Sequence, residues 1–116
     1  MRKLVSALLG LWIAHYASAG TVAEFRKAKR AAETYPATAN SLKAYVGGLG
    51  QGMFWANIAL EAQGEKKLFC PPRKLALSFD NYSSVLDREV AKPATRDTDD
   101  IGLLLLQGLV DTFPCG

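Results

Sequence analysis

A chain of 116 residues, 49% hydrophobic and 22% charged, is long enough for one domain and too short for two. Its 14 lysines and arginines face 11 aspartates and glutamates, but Arg2 and Lys3 fall in an N-terminal segment that reads as a leader. Discounting them leaves 12 against 11, a net charge near +1, which excludes general electrostatic attraction to nucleic acid or an anionic membrane.

Residues 1–19 have the pattern of a secretory signal peptide. Arg2 and Lys3 open it, an apolar stretch runs from Leu4 to Ala14, and Ala17-Ser18-Ala19 supplies the small-x-small pattern cut by signal peptidase. Eleven apolar residues are too few for a bilayer core of ~30 Å, which needs ~20. The expectation is cleavage after Ala19, export, and a single mature domain over residues 20–116. His15, the one histidine, leaves with the leader. The two cysteines, Cys70 and Cys115, then reach an oxidising compartment and are expected to form one disulfide.

Four helices are predicted in the mature part, with no alternating run that argues for a sheet. The first covers Val22 to Thr34, with Val22, Phe25, Ala28 and Ala32 on one face and Pro36 ending it. Its basic cluster, Arg26-Lys27 and Lys29-Arg30, reads as a solvated side. The second runs from Ala39 to Ala62, with Asn40 or Ser41 placed to cap it. Leu42, Val46, Leu49, Met53, Ala56 and Leu60 form its apolar stripe. Tyr45, Phe54, Trp55 and Ile58 extend that character, so this helix is expected to be surrounded by the others. Gly47, Gly48, Gly50 and Gly52 each cost a helix ~1 kcal/mol relative to alanine, and close approach of a neighbouring helix is the expected compensation.

Gln63 to Arg73 is a connector stiffened by Pro71 and Pro72. The third helix begins near Ser78, a good N-cap, and stops before Pro93. Phe79, Tyr82, Leu86 and Val90 mark its buried side; Asn81, Asp87, Arg88 and Lys92 face out. Lys92 to Thr98 is a polar hinge, after which Asp97, Thr98, Asp99 and Asp100 start the fourth helix. Ile101, Leu104, Leu105, Gly108 and Leu109 form one face of that helix, with Leu103, Leu106, Val110 and Phe113 alongside. A domain of this size cannot bury every side of both apolar helices, so part of one is expected to be covered by another subunit. The fold class expected is all-α, a small bundle of about four helices with one disulfide.

The mature residues offer little to catalysis. Ser41, Ser78, Ser83 and Ser84 have no histidine to activate them. Asp97-x-Asp99-Asp100 lacks the closing glutamate of a calcium loop and reads as helix capping. No metal, cofactor or enzymatic activity is expected.

Leu68-Phe69-Cys70-Pro71-Pro72, together with the terminal Leu109-Val110-Asp111-Thr112-Phe113-Pro114-Cys115, resembles the Tai family of immunity proteins, which protect bacteria from type VI secretion amidase effectors. Tyr45-Val46-x-Gly48, opening a glycine-containing helix, extends the resemblance over roughly Leu42 to Cys115. The second cysteine pair carried by many relatives is absent here. The resemblance implies a periplasmic, all-helical protein, commonly a homodimer, that binds a peptidoglycan-cleaving amidase and occludes its groove. Lys92, Arg96, Asp97 and Asp99, in a charged hinge between rigid helices, are the expected partner-binding residues. The competing expectation is a periplasmic helical chaperone of the acid-stress type, which with no histidine would sense acid only through its carboxylates.

Overall fold

A computed structural model describes residues 20–116. The expected leader, with His15, lies outside the described residues. Four helices follow one another: α1 (Val22–Ala32), α2 (Pro36–Ala62), α3 (Phe79–Val90) and α4 (Ile101–Thr112). Among the described residues there is no strand, only an isolated antiparallel bridge between Thr21 and Asp100. The all-α expectation and the Cys70–Cys115 disulfide are both present, the cysteines closing the chain across a separation of 45 residues.

The helix boundaries follow from capping chemistry. The Thr21 side chain accepts from Glu24 N–H at the start of α1. Pro36 does more than end α1. It is the first residue of α2, where a missing N–H costs nothing and the fixed φ suits the helix. The second helix therefore begins three residues before the predicted Ala39, and Asn40 and Ser41 lie inside it rather than capping it. Ser78 caps α3 reciprocally with Asn81, whose Oδ1 accepts from Ser78 N–H at 2.8 Å. At α4 only Asp100 is the cap, accepting from Leu103 N–H at 3.1 Å. Asp97 and Asp99 precede the helix and are used elsewhere.

The core forms where the four helices and the connector converge. Val22, Phe25, Val46, Phe69, Tyr82, Leu86, Ile101, Leu105 and Leu109 are all buried within it. The predicted face of α4, Ile101, Leu104, Leu105, Gly108 and Leu109, is its buried face residue for residue. On α3 the predicted side is buried apart from Phe79, which is only partly covered, and it widens to include Val85 and Glu89. Two close approaches hold the layers together. A Cβ on Gly50 would overlap the Tyr82 ring, and one on Gly108 would lie 2.6 Å from Val85 Cγ1 and 2.8 Å from Glu89 Cγ. Glycine is required at both places because α3 lies against α2 and α4 there.

Two expectations about α2 are overturned. Only Val46, Gly50 and Asn57 are fully buried along it, while Tyr45, Phe54, Trp55 and Ile58 are exposed. Among the described residues the helix is thus not surrounded: α1, α3 and α4 cover one side, and no described element lies on the other. Close helix approach also accounts for Gly50 alone, since a Cβ on Gly47, Gly48 or Gly52 would meet no atom within 4 Å.

The connector is pinned by a residue that periodicity gives no reason to notice. Asn57, 4% exposed, donates from Nδ2 to the Phe69 carbonyl at 2.7 Å and accepts at Oδ1 from Leu68 N–H at 2.8 Å. These bonds hold Phe69 in the core and place Cys70 where its N–H donates to the Phe113 carbonyl at 2.7 Å beside the disulfide. None of the described helices is long and apolar enough to cross a membrane.

Candidate functional site

The expected site is the hinge between α3 and α4, and its shape follows from three local choices. Pro93 cannot continue α3, so the chain turns at Ala91, and the Thr95 hydroxyl donates to the Glu89 carbonyl at 2.7 Å to close the helix end. Asp99 folds the following turn onto itself, accepting from Arg96 N–H at 2.8 Å and donating its own N–H to the Arg96 carbonyl at 3.0 Å. The hinge is then tied to the beginning of the fold. Val22 N–H donates to the Asp99 carbonyl at 2.9 Å, Ala23 N–H to the Asp97 carbonyl at 3.1 Å, and Ile101 N–H to the Gly20 carbonyl at 2.8 Å.

Each of the four expected site residues carries an ion pair. Lys92 Nζ lies 2.8 Å from Glu89 Oε1 and 3.8 Å from Asp111 Oδ2. Its hydrogen bond to Glu89 raises the ammonium above the ordinary lysine range, so it stays charged. Arg96 pairs with Asp99 at 3.2 Å, and Asp97 Oδ1 takes Arg26 Nη1 at 2.6 Å. Lys92 and Asp99 line one cleft of about 580 Å³, together with Glu89, Thr95, Leu106 and Val110. Arg96 and Asp97 do not line it: Arg96 is largely exposed, and Asp97 is turned toward α1.

The hinge is therefore a charged surface braced from below rather than a loose protrusion. Its ion pairs are mostly exposed, where such pairs are worth ~1 kcal/mol or less and exchange partners cheaply. The exception is Glu89, whose side chain is 9% exposed and depends on Lys92 for its counter-charge. From Ser78 onward the chain has seven carboxylates (Asp80, Asp87, Glu89, Asp97, Asp99, Asp100, Asp111) against three cations (Arg88, Lys92, Arg96), a local balance of −4. From Gly20 to Leu77 nine cations face four carboxylates, a balance of +5. The hinge belongs to the acidic half of the sequence.

Sequence reading missed Arg26, Glu89 and Asp111. Arg26 also donates to the Val90 carbonyl at 3.2 Å, bracing the hinge from 71 residues away from Asp97. No sequence pattern signals a pair so distant. Glu89 had a signal, the three-residue spacing to Lys92 at a helix end. Among the described residues no group of histidine, cysteine, aspartate or glutamate has the geometry to hold a metal ion. Comparison with protein-family models, with curated proteins and with solved structures finds no match to this chain.

Proposed function

We propose that this chain is a periplasmic immunity protein that binds a type VI secreted peptidoglycan amidase and occludes its active-site groove. The observation that carries the reading is the braced hinge. A rigid scaffold presents ionic side chains at Lys92, Arg96, Asp97 and the half-buried Asp99, each held in an ion pair, and those of Arg96 and Asp97 are exposed. The Cys70–Cys115 bridge supports an oxidising destination, as the leader-like residues 1–19 do. The protein acts by occupancy and not by turnover. Hinge side chains enter the enzyme's cleft, and the helices behind them keep the loop from yielding, so little ordering entropy is lost on binding.

Co-expression with an amidase directed to the periplasm tests this reading. Cells carrying the chain are expected to survive, and charge reversal at Arg96 or Asp97 to remove the protection while the protein remains folded. Unrelieved toxicity with every such amidase contradicts it.

The exposed Trp55 and Tyr45 favour a second reading, a helical chaperone of the acid-stress type that offers apolar surface to clients. Such a protein binds clients below about pH 4, where carboxylates take up protons. The immunity protein forms one complex at neutral pH.

A further inference from the structure

We infer that the cleft between the ends of α3 and α4 receives a lysine or arginine side chain of the partner protein, its alkyl stem against Leu106 and Val110 and its cationic head at Asp111. That this protein is an amidase rests on the function proposed above; the chemistry of the cleft does not.

The wall of the cleft is mostly apolar, with Ala94, Leu104, Leu106 and Val110 lining it. Its charged lining is acidic: Glu89, Asp99 and Asp111 face a single cation, Lys92, a balance of −2. Helix direction adds to this. Helix α3 ends at Val90 and α4 at Thr112, so Glu89 and Asp111 each stand in a last turn, and both line the cleft. The carbonyl ends of two helices therefore meet there, and that end of a helix favours a cation.

The chain's own Lys92 already uses the site in part. Its Nζ donates to both carboxylate oxygens of Glu89, at 2.8 and 2.9 Å, and lies 3.8 Å from Asp111 Oδ2. Glu89 thus engages the ammonium closely, while Asp111, its side chain 69% exposed, has only the longer contact. A second cation reaches Asp111 without stripping Glu89 of its counter-charge. Other occupants fit less well. A purely apolar side chain would take water from these carboxylates and return no hydrogen bond. A bare metal ion finds no ligand group of suitable geometry among the described residues. A lysine or arginine matches both parts, since its stem lies along apolar surface while its head keeps its charge paired. The cleft is also preformed, because the Thr95 hydroxyl fixes the end of α3 by donating to the Glu89 carbonyl at 2.7 Å.

The test titrates the full chain, nitrogen-15 labelled and in whichever processed form the cell accumulates, with three small probes. These are n-butylammonium and n-propylguanidinium, the side chains of lysine and arginine, and the neutral n-butanol. Both cations are expected to shift the amide signals of Leu106, Val110 and Asp111 in a saturable way, several-fold more tightly than butanol. Asp111→Asn is expected to weaken the cations roughly two- to five-fold, the size of an exposed ion pair, and to leave butanol unchanged. Asp87→Asn, which lies outside the cleft and pairs with Lys29, should change none of the three. Butanol binding as well as the cations overturns the inference, as does cation binding indifferent to Asp111→Asn. Shifts scattered over the acidic surface, with none gathered at the cleft, overturn it too. With an amidase that the chain neutralises, Asp111→Lys is expected to weaken the complex ~10-fold or more, and a single Lys→Glu or Arg→Glu change on the enzyme to restore it. An amidase held equally well by Asp111→Lys contradicts the inference and leaves the immunity reading standing. Cation binding at the cleft with no amidase neutralised supports the cleft chemistry and contradicts the immunity reading, so the two fail separately.

Discussion

Replacing Gly50 with alanine puts a methyl group into space occupied by the Tyr82 ring, which is itself 1% exposed and packed in the core. Two effects oppose each other. Alanine is favoured over glycine in a helix interior by ~1 kcal/mol, while forcing an extra carbon into a full core costs ~1–3 kcal/mol. Tyr82 cannot swing aside without opening the α2–α3 contact, so the cost lies toward the top of that range and the net loss is about 1–2 kcal/mol. For a domain of this size, 1 kcal/mol corresponds to ~4–8 °C, so the melting temperature falls by roughly 5–15 °C. Gly47→Ala is the internal control. Nothing lies within 4 Å of its new methyl group, and it is expected to gain ~0.5–1 kcal/mol through propensity alone. Thermal unfolding followed by the helical circular dichroism signal measures both. Adding Tyr82→Leu to Gly50→Ala is expected to cost less than the sum of the single changes, since the overlap is then relieved. If Gly50→Ala melts at or above the parent, as Gly47→Ala should, the α2–α3 packing described above is wrong.

Three other outcomes follow from the same geometry. Replacing Cys70 and Cys115 with alanine opens a loop of 45 residues and is expected to cost about 4 kcal/mol in the chain-entropy account, read as a lower urea midpoint. Asn57→Ala leaves Leu68 N–H and the Phe69 carbonyl without their partner, and a loss of ~2–4 kcal/mol is expected, with faster hydrogen exchange at Leu68. Burial raises the Tyr82 phenol above its ordinary value of about 10, so the fold favours the neutral ring; its contribution is whole below that value and is lost as pH rises through the raised one. Urea midpoints should therefore fall on the alkaline side, with Tyr82→Phe removing part of the fall and the part due to Lys92, raised by its bond to Glu89, remaining.

How legible this fold was in the sequence depends on the kind of signal. The face of α4 was readable because four apolar residues and one glycine repeat with the helical period and all turn the same way. Ser78 was readable because a small hydroxyl before an amphipathic run has one good use. The start of α2 was misplaced because proline carries two meanings, and only the neighbouring turn decides between ending one helix and opening the next. The surplus apolar residues of α2 were visible, but not which side the other helices would choose. Periodicity says that a face exists, and the number of available neighbours says whether it is covered.

The candidate site was legible as a place and not as an arrangement. A charged stretch ending at a helix cap marked the hinge, and Lys92, Arg96, Asp97 and Asp99 do lie there. Their pairings came from elsewhere: Arg26 on the first helix, Asp111 on the last, and Glu89 buried one turn back. The links to Arg26 and Asp111 depend on how the helices pack, and no local pattern encodes them. Asn57 illustrates the same limit in the core. A lone amide in an apolar helix could have been singled out as a polar group in need of partners, but its partners are set by where the connector folds back.

The account stands or falls on whether the hinge stops an amidase by filling its groove. Purified chain titrated into a periplasm-targeted amidase acting on peptidoglycan gives the direct answer. Cleavage is expected to fall in proportion to added protein and to end at one chain per enzyme, with Asp97→Lys needing a large excess. Undiminished cleavage at saturating chain, across the amidases such systems deliver, would contradict it.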